Sequence, residues 1–253
     1  MASPSDAYIK GIRAKFSYWA TWLPSADVRI GDIGIFRGGY FQRQTSLKEL
    51  GVMFSDRQSH APLDFRHASQ SSVSTANHAS ANPIALPEVP IGHASLDIHF
   101  NSSGSFIFHA QGCIVHEIEN LGPVGNQLVN LIQSNQWQHS WTLVVSTVKA
   151  ESATILISNS GDSKMQLSAA TSGVVSNLAD IDAGLQIRSQ AGDITHFVAV
   201  RGLSPLFKVA RVKRSILDRL LGRKPRVLFR GAGSPSDQLE GGVLELVNET
   251  TSG

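Results

Sequence analysis

The sequence predicts an α+β fold, a twisted antiparallel β-sheet with amphipathic hairpins and a few flanking helices. Three observations predict it. Hydrophobic residues make up 42% of the 253, enough for a packed core. Charged residues make up only 17%, with Ser, Asn and Thr in their place, a composition that suits polar, uncharged strand faces. Apolar and polar residues alternate in several runs of strand length, most clearly over residues 96–110.

The elements follow in chain order. Tyr8 to Trp22 mixes aromatics with Lys10, Arg13 and Lys15 and reads as an amphipathic helix stopped by Pro24. Val28 to Phe36 and Tyr40 to Gln44 read as strands turned by Gly38-Gly39. Ser46 to Leu50 reads as one helical turn closed at Gly51. Residues 57–92 are rich in Ser, Ala, His and Asn without apolar periodicity, which predicts a long flexible loop. The histidines in it, His60, His67 and His78, lack the spacing of a metal site.

Residues 93–110 then predict a hairpin. Leu96, Ile98 and Phe100 alternate with Asp97, His99 and Asn101, and Phe106, Phe108 and Ala110 alternate with Ser105, Ile107 and His109. A three-residue loop over 102–104 would pair Phe100 with Phe106, Ile98 with Phe108 and Leu96 with Ala110, all on one face. Gly104 would supply the left-handed position of that loop, and Asp97 would face His109.

Gly122-Pro123 opens a helix with Val124, Leu128, Leu131 and Ile132 on one face, ending near Trp137. Strands follow over Trp141 to Val148 (Leu143 and Val145), Ala153 to Ser158 (Ile155 and Ile157) and Ser163 to Ala169 (Met165 and Leu167). Leu185 to Arg188 and Thr195 to Val200 complete the β content. Ser204 and Pro205 read as the cap and first residue of a basic amphipathic helix closed by Gly222. Its apolar face carries Leu206, Val209, Ala210, Ile216, Leu217, Leu220 and Leu221, and its polar face Lys208, Arg211, Arg214, Asp218 and Arg219. Such a helix lies on a membrane, docks a partner or packs one face into a core.

Charge is unevenly spread. Residues 201–230 carry a net +9, and residues 231–253 carry −4 from Asp237, Glu240, Glu245 and Glu249. The chain therefore reads as one β-rich domain over 1–230 followed by an acidic tail over 231–253. No apolar leader opens the sequence and no run of 18 apolar residues crosses it, so the expectation is a cytoplasmic protein. The sequons at Asn101 and Asn248 are then chance matches.

No motif of catalysis emerges. Nucleophile elbows, phosphate loops and zinc signatures are missing, so neither an enzyme nor a cofactor nor a metal is expected. Gly31-Asp32-Ile33-Gly34 is too short a glycine pattern for a nucleotide, and Asp180-Ile181-Asp182-Ala183-Gly184 lacks the ligands that complete a calcium loop. His116 and Glu117 are adjacent on a strand and point to opposite faces. Cys113 reads as a small core residue. Nucleic acid is not expected as a partner, since only Phe207 and Phe229 lie among the cations of 201–230.

The layout of residues 93–210 resembles the pore-forming domain of gasdermins, of the short-tailed microbial type. The hairpin ASLDIHFNSSGSFIFHA is followed by the helix VGNQLVNLIQSNQW. WTLVVSTVKAESATILIS is similar to the strand pair after that family's helix, and LQIRSQAGDITHFVAVRGL to its later strand. The resemblance implies an autoinhibited monomer that acts in cell death and defence. A protease removes its tail; it then binds acidic lipid, forms a homo-oligomer and inserts hairpins. Leu96, Ile98, Phe100, Phe106, Phe108, Leu143, Val145, Ile155, Ile157, Met165 and Leu167 would enter the membrane. Lys10, Arg13, Lys15, Lys208, Arg211, Arg214 and Arg219 would meet lipid or a partner, and Asp237, Glu240, Glu245 and Glu249 would form the inhibitory tail. One departure is Ala2, where bacterial members often carry a cysteine for lipidation, and Cys113 is no obvious substitute. The alternative is a non-enzymatic β-rich binding or assembly protein that docks its partner through the basic helix.

Overall fold

The computed structural model describes residues 3–69, 72–77, 96–169, 185–200, 202–213 and 244–247. Among them the chain forms two helices, α1 (Pro4–Phe16) and α2 (Leu121–Gln133), and fifteen strands. These are β1 (Trp19–Ala20), β2 (Asp32–Arg37), β3 (Tyr40–Ser46), β4 (Asp56–Gln58), β5 (Leu63–Ala68), β6 (Val73–Asn77), β7 (Leu96–Phe100) and β8 (Phe106–Ile118). After α2 come β9 (Thr142–Lys149), β10 (Ser152–Ser158), β11 (Ser163–Ala169), β12 (Leu185–Ala191), β13 (Ile194–Val200), β14 (Leu206–Val212) and β15 (Leu244–Leu246). Antiparallel sheets and few helices make the fold α+β, mostly β.

The chain divides into two compact units, each assembled from three separate segments. The first takes Met1–Asp27, His60–Ile114 and Val148–Leu206, and the second Val28–Ser59, Val115–Thr147 and Phe207–Gly253. Strand β15, within the expected acidic tail of 231–253, falls in the second unit.

In the first unit, α1 starts four residues before the expected Tyr8, because Ser3-Pro4-Ser5-Asp6 is a capping box. The Ser3 hydroxyl accepts from the Asp6 N–H at 3.2 Å, and the Asp6 carboxylate accepts from the Ser3 N–H at 3.1 Å. The helix stops at Phe16, short of the expected Trp22, where Ser17 turns left-handed at φ 59°. Its buried face, Tyr8, Ile9 and Ile12, meets β8: the Tyr8 ring lies edge-on to Phe106 at 5.3 Å.

In the second unit, β2 and β3 form the expected hairpin, closed by Arg37 opposite Tyr40. Gly38 and Gly39 take φ of +56° and +83°, as a two-residue turn of this hand requires. The helix α2 opens at the expected glycine–proline pair and buries Val124, Leu128, Leu131 and Ile132 against Ile33, Leu143, Val145, Val212 and Leu244. The Gly31-Asp32 corner serves this core: Asp32 accepts from the Arg29 N–H at 2.8 Å and from Arg43 Nε at 2.9 Å.

The structure corrects three sequence expectations. Residues 206–212 form a strand, not the start of a basic helix. Leu206, Phe207, Val209, Ala210 and Val212 are all buried, and a strand covered on both faces carries a near-continuous apolar run that periodicity confuses with a helix. The rest of that helix, with Arg214 and Arg219, lies outside the described residues. Residues 57–92 are not one loop, since β5 and β6 occupy 63–68 and 73–77. Lastly, the hairpin register is overturned. Leu96 to Phe100 and Phe106 to Ala110 do not pair with each other; β7 joins one sheet and β8 another. Asp97 accordingly meets not His109 but Gln166, whose Nε2 donates to its carboxylate at 2.8 Å.

Candidate functional site: two sheets in line and a tail strand

The first unit holds two sheets whose strands correspond one to one. In one, β5, β8, β10 and β13 are neighbours in that order. In the other the order is β6, β7, β11 and β12. Each strand of the first sheet is followed or preceded in the chain by its counterpart in the second, so all four lines of chain break between the same two sheets. The breaks fall at 69–72, 101–105, 159–162 and 192–193.

Two antiparallel hairpins result, both different from the expected one. The first runs out along 63–77 and back along 96–110, with Val73 opposite Phe100 and Ala68 opposite Ile107. The second runs out along 152–169 and back along 185–200, with Lys164 opposite Ala191 and Ser158 opposite Ile194. Half of the first hairpin therefore comes from the supposed loop, where the alternation Leu63, Phe65, His67 and Val73, Thr75 was the signal that could have found it.

Parity survives the two central breaks. Ile98 and Phe100 share even numbering with Phe106 and Phe108, and Ile155 and Ile157 share odd numbering with Met165 and Leu167. Phe65 and Val73 share odd numbering too, whereas in the fourth line the register shifts between Ile187 and Ser189 and Ile194 is buried on the even side. In the small sheet this gives two distinct faces. Thr75, Ile98, Phe100, Met165 and Leu167 are buried, while Lys164 is exposed and His99 Nε2 bonds Asp162 Oδ1 at 2.5 Å on the opposite side. That contact, and then the Lys164 charge, holds the Asp162 carboxyl below its usual range.

Of the expected membrane-entering residues, the small sheet gathers Ile98, Phe100, Met165 and Leu167, and Leu96 lies on its strand β7. Phe106, Phe108, Ile155 and Ile157 sit buried in the sheet beside it. Leu143 and Val145 do not join them; they fill the core of the second unit on β9, with Leu143 opposite Ile33.

Among the expected basic contacts, Lys10 and Lys15 are exposed on α1. Arg13 is turned inward, with its guanidinium 3.6 Å from the centre of the Trp19 ring. Lys208 and Arg211 lie on β14. The tail strand β15 extends that strand's sheet: Leu244 faces Val212, Glu245 faces Arg211 and Leu246 faces Ala210. Arg211 Nε donates to Glu245 Oε1 at 2.8 Å, Leu244 enters the core of the second unit, and the Val247 N–H donates to the Val209 carbonyl at 2.9 Å. Asp237, Glu240 and Glu249 lie outside the described residues.

The remaining polar candidates have structural partners. His116 contacts Asp56 at 3.3 Å and Glu117 pairs with Arg57 at 2.9 Å, each with its own neighbour on β4. Cys113 is fully buried, and burial, then the Asp64 charge, pushes its thiol up to about 12. It is a neutral thiol at physiological pH. Asp180 and Asp182 lie outside the described residues, and among those described no three His, Cys, Asp or Glu side chains gather around a metal position. Nor is any described helix long and apolar enough to cross a membrane.

No protein-family model matches the chain. No curated protein sequence matches it significantly.

Proposed function

We propose that this protein is a pore-former whose two long hairpins, 63–77 with 96–110 and 152–169 with 185–200, insert into an acidic bilayer as copies of the chain assemble. One observation carries the reading. The two central strand lines keep matching buried residues on one parity across their breaks, Ile98 and Phe100 with Phe106 and Phe108, and Ile155 and Ile157 with Met165 and Leu167. Drawn straight, each of these two lines would show one apolar side and one mainly polar side, interrupted by Ile107 in the first and by Leu156 in the second. That is the two-faced pattern of a membrane β-strand, for which roughly 9 to 11 tilted residues suffice.

The tail supplies the restraint. It occupies the edge of β14, neutralises Arg211 and plugs the second unit's core with Leu244. Cleavage between the +9 segment and β15 would free the cations of 201–230 to meet acidic lipid at about 1 kcal/mol per charge near the surface. The protein then waits in the cytoplasm and moves to the membrane once a protease has acted. Its activity is mechanical, and the proposal gives it no catalytic step and no cofactor. The reading as a partner-docking protein rested on a basic helix whose first turns are the strand β14, so no observation favours it.

The test places a protease site within residues 231–243 and follows release of a trapped dye from vesicles with and without anionic lipid. Cleaved protein is expected to empty anionic vesicles, and intact protein to leave them sealed. Retention of the dye by both forms would remove the proposal.

A further inference from the structure

The four breaks share a chemistry. Ser69 and Ser72 bound the first, Ser102, Ser103 and Ser105 lie in the second, Ser160 lies in the third with Ser158 and Ser163 flanking it, and Asp193 lies in the fourth. Hydroxyls are suited to such places, because they bond backbone groups that a broken ladder leaves unsatisfied. Here they also bond across from one break to the next. The Ser158 hydroxyl donates to the Ser160 carbonyl at 2.5 Å and lies 2.9 Å from Ser163 Oγ, which is itself 2.9 Å from Ser160 Oγ. The Asp193 N–H donates to Ser160 Oγ at 3.1 Å. Asn159 Nδ2 donates to Asp193 Oδ1 at 3.1 Å and to Thr195 Oγ1 at 2.9 Å. On the other side, the Ser103 hydroxyl donates to the Asn159 carbonyl at 3.0 Å and the Gly104 N–H to the Ser158 carbonyl at 2.7 Å. The first break closes in the same way, with the Asn101 N–H on the Ser72 carbonyl at 2.8 Å and the Phe106 N–H on Ser69 Oγ at 2.9 Å.

The backbone is shaped to the network. Gly192 takes φ +83°, and a Cβ there would stand 2.6 Å from Ser163 Oγ. Ser158 and Ser163 are fully buried, so their bonds do not compete with water.

We infer that this row of hydroxyl and amide bonds, centred on Ser158, Asn159, Ser160, Ser163 and Asp193, is a latch that holds the four strand lines interrupted and must open before they straighten into continuous strands. The inference rests on the pore-forming reading and adds to it a second restraint, built into the first unit and independent of the tail. It makes release a two-step event, in which tail removal alone does not straighten the strands. No bond other than hydrogen bonds breaks or forms.

A disulfide at the third break tests it. The hydroxyls of Ser160 and Ser163 are 2.9 Å apart, so the double variant Ser160→Cys with Ser163→Cys places two sulfurs within bonding reach. A disulfide holds its Cα atoms within about 6.8 Å, whereas three residues of extended strand span about 10 Å. Oxidised, tail-cleaved protein is expected to release dye from anionic vesicles at least about tenfold more slowly than the reduced form, with full recovery on adding dithiothreitol. Equal release by both forms overturns the latch while leaving pore formation standing. A second measurement needs no membrane. In the full chain, Asn159→Ala with Asp193→Ala is expected to speed amide exchange at Ile98, Met165 and Leu167 about tenfold while Ile155 and Ile157 keep their protection. Unchanged exchange, or equal acceleration in both sheets, overturns the latch even if cleaved wild-type protein releases no dye and the pore reading has failed.

Discussion

At the scale of residues, several side chains that looked available for chemistry are committed to packing. Arg13 lies over Trp19 and Asp32 is closed by Arg43 and a backbone N–H. His67 is the most informative. Its ring is half-buried, 5.4 Å from Phe106 and 6.1 Å from Phe16. Burial first, and then the Lys15 charge, lowers its pKa from the ordinary 6.5. A histidine with a lowered folded-state pKa takes up its proton more readily when unfolded, so stability rises with pH across the window just below 6.5 and is lost on acidification through it. The melting temperature is therefore expected to fall between pH 7 and pH 5. The fall should be shallower in His67→Phe, which keeps the aromatic contacts without the proton site. Parallel pH profiles for the two proteins would show that His67 is not its source.

At the scale of elements, local sequence signals were reliable where a cap or a turn specified them and silent where pairing depended on distant strands. The Gly38-Gly39 turn and the Gly122-Pro123 helix start are local, and both elements stand where the sequence puts them. The start of α1 is equally local, written in the capping box of Ser3 to Asp6 rather than in the aromatic run after Tyr8. The helix also depends on Gly11, where a Cβ would stand 2.6 Å from the Phe106 ring. Alanine would improve helix propensity by about 1 kcal/mol, but overpacking at a buried ring costs about 1 to 3 kcal/mol. Phe106 is 2% exposed and pinned by Tyr8, so the packing term wins and Gly11→Ala is expected to lower stability by about 1 kcal/mol in urea unfolding. A stabilised variant would show that the ring has room to move.

At the scale of the whole molecule, the described part of the acidic tail, residues 244–247, joins the fold by packing and pairing. Leu244 is 2% exposed within the second unit's core, and Glu245 holds Arg211. Truncating a buried leucine costs about 2 to 5 kcal/mol, much of which here falls on the docking of one short strand. Uncut Leu244→Ala is thus expected to release dye from anionic vesicles where uncut wild type does not. A variant that keeps them sealed, although its Val247 amide has lost protection, would show that the tail is not the restraint. By itself the sequence determined the fold class, the alternation of the strands, the turn and helix starts that rest on neighbouring residues, and the polarity of the tail. Tertiary structure alone decided which strands are neighbours. A period of two says which face of a strand is apolar, but not whether the chain turns back at Ser102 to Gly104 or passes on into a second sheet. Only the pairing of Phe100 with Ser163 and of Phe106 with Ile157 settles that, because both partners lie more than fifty residues away. Leu206 to Val212 follows the same reasoning: once a strand is covered on both faces its apolar run loses any period, and burial rather than pattern makes it a strand.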